Sequence, residues 1–260
     1  MTKDTQEKLA CSLTAHTTEL IPFLPYLLGD LWELGSCPEV MVNLIKKHMP
    51  LSGDTKILDL ACGKGAVSVR VAQQLGVRVY GFDLLDDFIA FAGQKAAELG
   101  VSSLCHFAAG DANEVVSRES GYDLTIFGAA GNILGTPAET LQKLAKTVKP
   151  GGYILIDEGY LPDGGDNAAV KYQNYDYLTR AQWMRLFEDS GLTLVEEVKA
   201  EAKDYDFERD NNAIRARADE LIAKYPEKRE IFEGYVRSQL DECEDLEHTI
   251  IAITWMLQRR

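Results

Sequence analysis

The stretch Ile57-Leu58-Asp59-Leu60-Ala61-Cys62-Gly63-Lys64-Gly65 decides how the rest of the chain is read. A short apolar run ends in a carboxylate, two glycines one residue apart follow, and Val67, Val69, Val71 and Leu75 then begin an amphipathic pattern. That order predicts strand, tight turn and helix. Glycine permits φ > 0 and a close approach of ligand to backbone, so the turn can seat a flat nucleoside-like molecule. Taken alone, Gly63 and Gly65 also fit an ordinary tight βα loop, and the discrimination comes from the residues downstream.

From Lys56 onward strand and helix alternate. Strands are expected over 56–61, 77–83, 104–109, 122–127, 153–157 and 192–198. The helix after the second strand has Asp86 and Asp87 in its first turn and Gly100 past its end, as the helix dipole and left-handed caps favour. Thr136-Pro137-Ala138-Glu139 and Thr179-Arg180-Ala181-Gln182 are capping boxes that open two further helices. Serial βα units with right-handed crossovers require a mostly parallel sheet with helices on both faces and a ligand site at the carboxyl ends of the strands. A last strand is expected over 249–257, after a helical stretch over 205–246 that Pro226 divides.

Upstream, the first fifty residues are expected to be helical. One segment spans about 19–34 with Leu24, Leu27, Leu28, Leu31 and Trp32, and a second opens at Cys37-Pro38 and runs to about His48. The 260 residues are therefore expected to form a single domain, made of a helical cap (1–50), a ligand-binding core (56–199), a helical insertion (200–247) and a final strand (248–260).

With 41 acidic against 27 basic residues the net charge is -14, which a nucleic acid or an anionic bilayer repels, so neither is an expected partner. The most apolar early run, 20–28, is too short to span a bilayer and is broken by Pro22 and Pro25. Five scattered cysteines without a Cys-x-x-Cys pair argue for reduced thiols in a cytoplasmic protein. The four isolated histidines offer no metal-ligand spacing, so no metal is expected. Between Glu201 and Glu247 fifteen acidic residues stand against eight basic ones, which fits a solvated outer face over a buried stripe or a lid with an acidic lining.

Asp59 in the first strand, Asp83 at the end of the second and Asp111 just after the third fall at one edge of neighbouring strands. A carboxylate ending the second strand can accept from both hydroxyls of a ribose, one beyond the third from the amine of an adenine, and Asp59 favours a cation beside the loop. A dinucleotide would set its pyrophosphate where Asp59 repels it, and its fingerprint wants a third glycine where Ser68 stands. S-adenosylmethionine carries the same adenosine with a sulfonium and an amino acid in place of phosphates, and suits the acidic turn. Taken singly, Asp83 also fits a helix cap and Asp111 an ordinary turn.

The 57–65 stretch, Gly81-Phe82-Asp83-Leu84, Gly110-Asp111-Ala112, Tyr122-Asp123-Leu124 and 144–152 with its Lys149-Pro150-Gly151-Gly152 resemble, in order, the motifs of class I S-adenosylmethionine-dependent methyltransferases. The closer likeness is to the small-molecule branch that includes ubiquinone/menaquinone-type enzymes, with Ala61 standing where the first glycine is commoner. The resemblance covers about 56–157 and implies an α/β, doubly wound, Rossmann-like sheet of seven mostly parallel strands in the order 3-2-1-4-5-7-6, the last antiparallel. It implies S-adenosyl-L-methionine as cofactor, with Asp59, Ala61 and Gly63 along its methionine part, Asp83 and Leu84 at the ribose and Asp111 and Ala112 at the adenine. Ala129, in Gly128-Ala129-Ala130, would border the transferred methyl, and the regions 1–50, 159–178 and 200–247 would select the acceptor.

Methyl transfer from a sulfonium is an in-line displacement whose leaving thioether needs no proton, so alignment and exclusion of water dominate, and a base serves only an acceptor that must lose a proton. Asp157, Glu158 and Tyr160, beyond the fifth strand, are the candidates for that base; they also fit as plain strand-end polar residues. Tyr172, Tyr175 and Tyr177, with Tyr26 and Trp32 from the cap, are candidates to wall the pocket of a small-molecule acceptor and to shelter a cationic group, or to anchor a loop. The expected function is methyl transfer from S-adenosylmethionine to a small molecule. The alternatives are a nicotinamide-dependent oxidoreductase and a non-catalytic module that binds an adenosyl cofactor.

Overall fold

β1 (Lys56–Leu60) is buried at every position but its first, as a central strand covered on both faces must be. In a computed structural model, which describes residues 1–173, 175–201 and 205–260, it is an interior strand, third from the β3 edge, of a seven-stranded sheet. Asn174 of the tyrosine-rich loop and 202–204 at the head of the expected insertion lie outside the described residues.

β1 pairs in parallel with β2 (Arg78–Asp83) and β4 (Tyr122–Phe127), which sets Asp59 opposite Gly81 on one side and Ile126 on the other. β3 (Cys105–Ala109) lies outside β2, and β5 (Val148–Tyr160) outside β4, again in parallel. β7 (Ile251–Arg259) runs antiparallel between β5 and β6 (Leu192–Lys199). The order is 3-2-1-4-5-7-6, as expected.

Helices cover both faces because each presents an apolar stripe. α3 (Pro38–His48), α4 (Ala66–Leu75) and α5 (Asp86–Glu98) bury Met41, Ile45, Val69, Val71 and Ala96 with Ile57, Val79 and Ile126 of the sheet. α6 (Ala112–Arg118), α7 (Pro137–Thr147) and α8 (Arg180–Asp189) bury Val115, Leu141, Leu144, Trp183 and Phe187 with Leu58, Leu60 and Trp255. Each fully buried aliphatic or aromatic side chain contributes roughly 1.5–3 kcal/mol. Both expected capping boxes form, Thr136 with Glu139 and Thr179 with Gln182.

A third core joins the two ends of the chain. α1 (Lys3–Ser12), a 3-10 turn (Thr18–Phe23) and α2 (Leu24–Leu27) pack on α9 (Phe207–Lys224) and α10 (Arg229–His248). Leu20, Leu24, Leu27, Ile214, Leu221, Phe232 and Tyr235 fill it, and the rings of Phe23 and Phe232 meet edge to face at 5.1 Å.

Two local expectations need correction, and two helices carried no periodic signal. The 19–34 segment is not one helix: Pro22 and Pro25 lack the N–H a helix interior needs, so the chain makes a 3-10 turn and one α turn. The fifth strand is longer than 153–157 because β7 pairs with it from Tyr153 to Tyr160, so Glu158 and Tyr160 lie in the strand and not beyond it. α1 and α6 bury only two and three residues, too few to announce a helix by periodicity.

Candidate functional site

At the carboxyl edge of β1, β2 and β4 the chain forms a cavity, open to solvent on one side, of about 1000 Å³. It is built on a turn in which Ala61, Gly63 and Gly65 all have positive φ, at 54°, 53° and 73°. The turn is tied to its neighbour strand: Gly63 N–H donates to Asp83 Oδ2 at 2.9 Å and Leu85 N–H to Asp83 Oδ1 at 3.0 Å. Beneath it, Ser68 Oγ donates to Asp59 Oδ2 at 2.5 Å. Asp111 caps α6, accepting from Asn113 N–H at 2.8 Å, and also accepts from Thr5 Oγ1 of α1 at 3.2 Å.

Asp59, Ala61, Gly63, Asp83, Leu84, Asp111, Ala112 and Ala129 all line this one cavity, so every residue expected at the cofactor is brought together. Electrostatically the floor is acidic, with Asp59 and Asp83 both buried. Burial pushes the Asp59 carboxyl up to about 7, the Ser68 hydroxyl opposes that rise, and the neighbouring Asp83 adds to it. Burial also raises Asp83, against the N–H groups of Leu85, Gly63 and Leu84. A cation over these two acids would offset the repulsion and favour their charged forms.

The roof comes from the cap. Thr5, Lys8, Leu9 and Ser12 of α1 and Leu13 just after it line the cavity together with Trp32, Leu34 and Ser36. Buried Lys64 turns away from the floor and donates to the carbonyls of Leu28, Gly29 and Leu31, while Trp32 Nε1 donates to Lys64 O at 3.1 Å. Burial lowers the Lys64 ammonium to about 8. The anchoring by Lys64, the bond from Ser68 to Asp59 and the place of α1 over the cavity were not read from the sequence; the one local signal for α1 is Thr2, whose side chain caps it by accepting from Thr5 N–H.

A second cavity of about 1490 Å³ adjoins the first, with Ser12, Leu13, Leu34 and Ala129 lining both. Ala129 is held at φ 48°, left-handed, where the two meet. Tyr175 and Tyr177 line the second cavity, their rings edge to face at 6.1 Å, and Glu158 lines it with Asp157 and Glu242. Thr254 Oγ1 donates to Asp157 Oδ1 at 2.6 Å, and Thr14 Oγ1 to Glu242 Oε2 at 2.5 Å. Burial lifts Asp157 to about 6, Glu158 to about 7, and Glu242 above its usual range.

The other expectations are corrected by position. Tyr160 is buried in the core, stacked on Trp255 at 6.0 Å, and lines neither cavity, so it is not a base. Trp32 lines the first cavity, not the second. Tyr26 is exposed on the cap, bonded to Glu220 under the Arg217 guanidinium at 4.9 Å. Tyr172 donates to Cys11 O at 3.3 Å and lines neither cavity, so it anchors its loop to α1.

A family model described as a methyltransferase domain matches residues 51–212. The protein YjhP of Escherichia coli (strain K12) is 35% identical over 157 residues, 58% of this chain and 63% of that protein. A ubiquinone biosynthesis O-methyltransferase of Burkholderia vietnamiensis is 32% identical over 118 residues, 45% of this chain and 49% of that one. The chain thus spans under two thirds of the length of these relatives. The crystal structure of a methyltransferase from Thiobacillus denitrificans in complex with S-adenosyl-L-homocysteine shares the fold, with a TM-score of 0.75 at 23% identity over 92% of this chain and 98% of that one.

Proposed function

The chain belongs to the class I methyltransferase family, and from that premise we propose that it binds S-adenosylmethionine in the first cavity and transfers the methyl group to a small-molecule acceptor held in the second. The observation that carries the reading is the convergence of Asp59, Asp83 and Asp111 on one cavity at the carboxyl edge of the strands.

The donor set fits this cofactor. Each Asp83 oxygen holds one backbone N–H and keeps a further lone pair for a ribose hydroxyl. Asp59, buried beside the turn, complements a positive charge and opposes a phosphate. The bound cofactor supplies an electrophilic methyl group on a sulfonium. The protein contributes orientation and exclusion of water: α1 and the 28–36 segment roof the cavity, and Ala129 stands at its junction with the second. Residues of the cap and of 200–247 line the second cavity and would select the acceptor.

A cytoplasmic setting belongs to the same reading. All five cysteines are free thiols, and among the described residues no helix is long and apolar enough to cross a membrane.

Calorimetry tests the proposal directly. Saturable binding of S-adenosylmethionine and S-adenosylhomocysteine, with no binding of NAD(H), is the expected result, together with release of S-adenosylhomocysteine when an acceptor is added. Binding of a nicotinamide dinucleotide in preference to either adenosyl compound would overturn it.

A further inference from the structure

We propose that the acceptor is an amine, received as its ammonium ion in the second cavity and methylated on nitrogen; this deepens the methyltransferase reading and rests on it. The lining of that cavity carries Glu33, Asp157, Glu158, Asp176, Asp210 and Glu242, and among the described residues no lysine, arginine or histidine. Asp210 is matched by Arg209 at 2.8 Å, but among the described residues Asp157, Glu158 and Glu242 make no ion pair with a lysine, arginine or histidine. A phosphorylated or carboxylate-bearing acceptor would be repelled by such a wall, and a hydrocarbon would leave its acids without partners.

Asp157 points more specifically to a donor-rich guest. Its Oδ1 is held by Thr254, while Oδ2, buried from solvent, has no hydrogen-bond partner among the described residues. The Ser36 hydroxyl, which lines the first cavity, lies beside Asp157 and favours its charge without reaching hydrogen-bond geometry to Oδ2. A buried acceptor atom left unpaired is destabilising, and an incoming N–H donor would satisfy it. Glu158 accepts from the N–H of Gly159 and also retains accepting capacity.

The aromatic walls complete a site suited to a cation. Tyr175 and Tyr177 stand together on one side, and Phe207 stacks on Tyr205 at 5.3 Å on another. Ring faces attract an alkylammonium, and they also cover the apolar remainder of an organic amine. Neutral alcohols gain the burial but not the attraction.

The chemistry balances within this lining. The ammonium first gives a proton to the Glu158 carboxylate, which burial has already made more basic than an exposed glutamate. The nitrogen lone pair then forms the N–CH3 bond as the CH3–S bond breaks, its electron pair leaving with sulfur as a neutral thioether. Positive charge passes from sulfur to nitrogen, next to Asp157 and Glu242, so the product is again a cation facing carboxylates.

The test uses the full chain saturated with S-adenosylhomocysteine, titrated with matched probes: phenethylamine, phenethyl alcohol and phenylacetate, and spermidine as a longer amine. At least one amine should bind about tenfold or more tightly than the alcohol, with no binding of the carboxylate. Glu242→Gln should remove most of that preference while S-adenosylhomocysteine affinity stays unchanged. Asp157→Asn, made beside it, keeps the test decisive should the first variant not fold. Equal binding of alcohol and amine, binding of the carboxylate, binding of none of the probes, or an amine preference untouched by both variants would each overturn the inference. Failure of S-adenosylhomocysteine to bind appears before any acceptor is added and is a failure of the methyltransferase reading instead.

Discussion

Ser68 Oγ donates to Asp59 Oδ2 at 2.5 Å with both side chains buried, so the residue that stands where a dinucleotide loop has its third glycine is the partner of the acid under the turn. One hydroxyl therefore both blocks the dinucleotide pattern and keeps a carboxylate satisfied beneath the loop. Ser68→Ala leaves that oxygen unpaired, and a loss of about 1–3 kcal/mol in urea unfolding is expected. An unchanged midpoint would mean that the bond contributes nothing to stability.

Asp83 holds the glycine turn through Gly63 N–H and the start of the next helix through Leu85 N–H. Asp83→Ala should weaken S-adenosylhomocysteine binding by about 1.5–3 kcal/mol, the usual worth of hydrogen bonds to a charged group, as read by calorimetry. Asp83→Asn, which keeps one acceptor, should lie between. Affinity equal to the parent protein would remove Asp83 from the cofactor site.

Buried acids make the ligand-free protein prefer mildly acid solution. Asp59 and Glu158 lie at about 7 and Asp157 at about 6 when folded, and Asp83 and Glu242 are raised as well. Between the unfolded values near 4 and these folded ones, the folded state holds protons the unfolded state has lost, so stability falls as pH rises through that window. The unliganded Tm should therefore be higher at pH 5.5 than at pH 7.5. S-adenosylmethionine, being cationic, should narrow the gap; a Tm that climbs with pH in this range would refute the assignment.

Lys64 fastens the roof to the loop through three carbonyls, those of Leu28, Gly29 and Leu31. Lys64→Met keeps the buried stem but strands those carbonyls, and a loss of at least about 2 kcal/mol is expected from unmade buried bonds. Limited proteolysis should then cut the 24–34 segment faster than in the parent chain.

Ala61 and Ala129 take left-handed backbone at φ 54° and 48°, a region that suits glycine. Ala61→Gly should be neutral or stabilising by up to about 1 kcal/mol in the folded state, whereas Ala61→Val should destabilise by more than that. Thermal melts of the pair decide it, and similar melting temperatures would show that the turn carries no strain.

What could be read from the chain alone was whatever is written locally. Pro38, the two capping boxes and the Asp59-to-Gly65 turn each fix an element through neighbours within a few residues, and each forms. What could not be read depends on partners far along the chain. Whether Tyr160 or Glu158 reaches a cavity is set by the extent of β5, which β7 determines some ninety residues later. Thr5 meets Asp111 across more than a hundred residues, so nothing near Thr5 marks α1 as part of the cofactor cavity. Tyr172 and Tyr175 both donate to Cys11 O, at 3.3 and 3.0 Å, yet only Tyr175 also lines the second cavity, a difference that no repeating period in the sequence announces.

The third core, in which Leu24 and Leu27 of the cap interlock with Ile214 and Leu221 of α9, bears on how specificity in this scaffold can be changed. Arg217 of α9 also grips Asp30 of the cap at 2.7 Å, so the two chain ends form one mechanical piece beside the second cavity. Transplanting residues 207–248 from a relative into this chain without the matching 18–34 would juxtapose two surfaces that never adapted to each other. Recombination that exchanges both segments together is the unit by which a new acceptor preference can be introduced without unseating the roof.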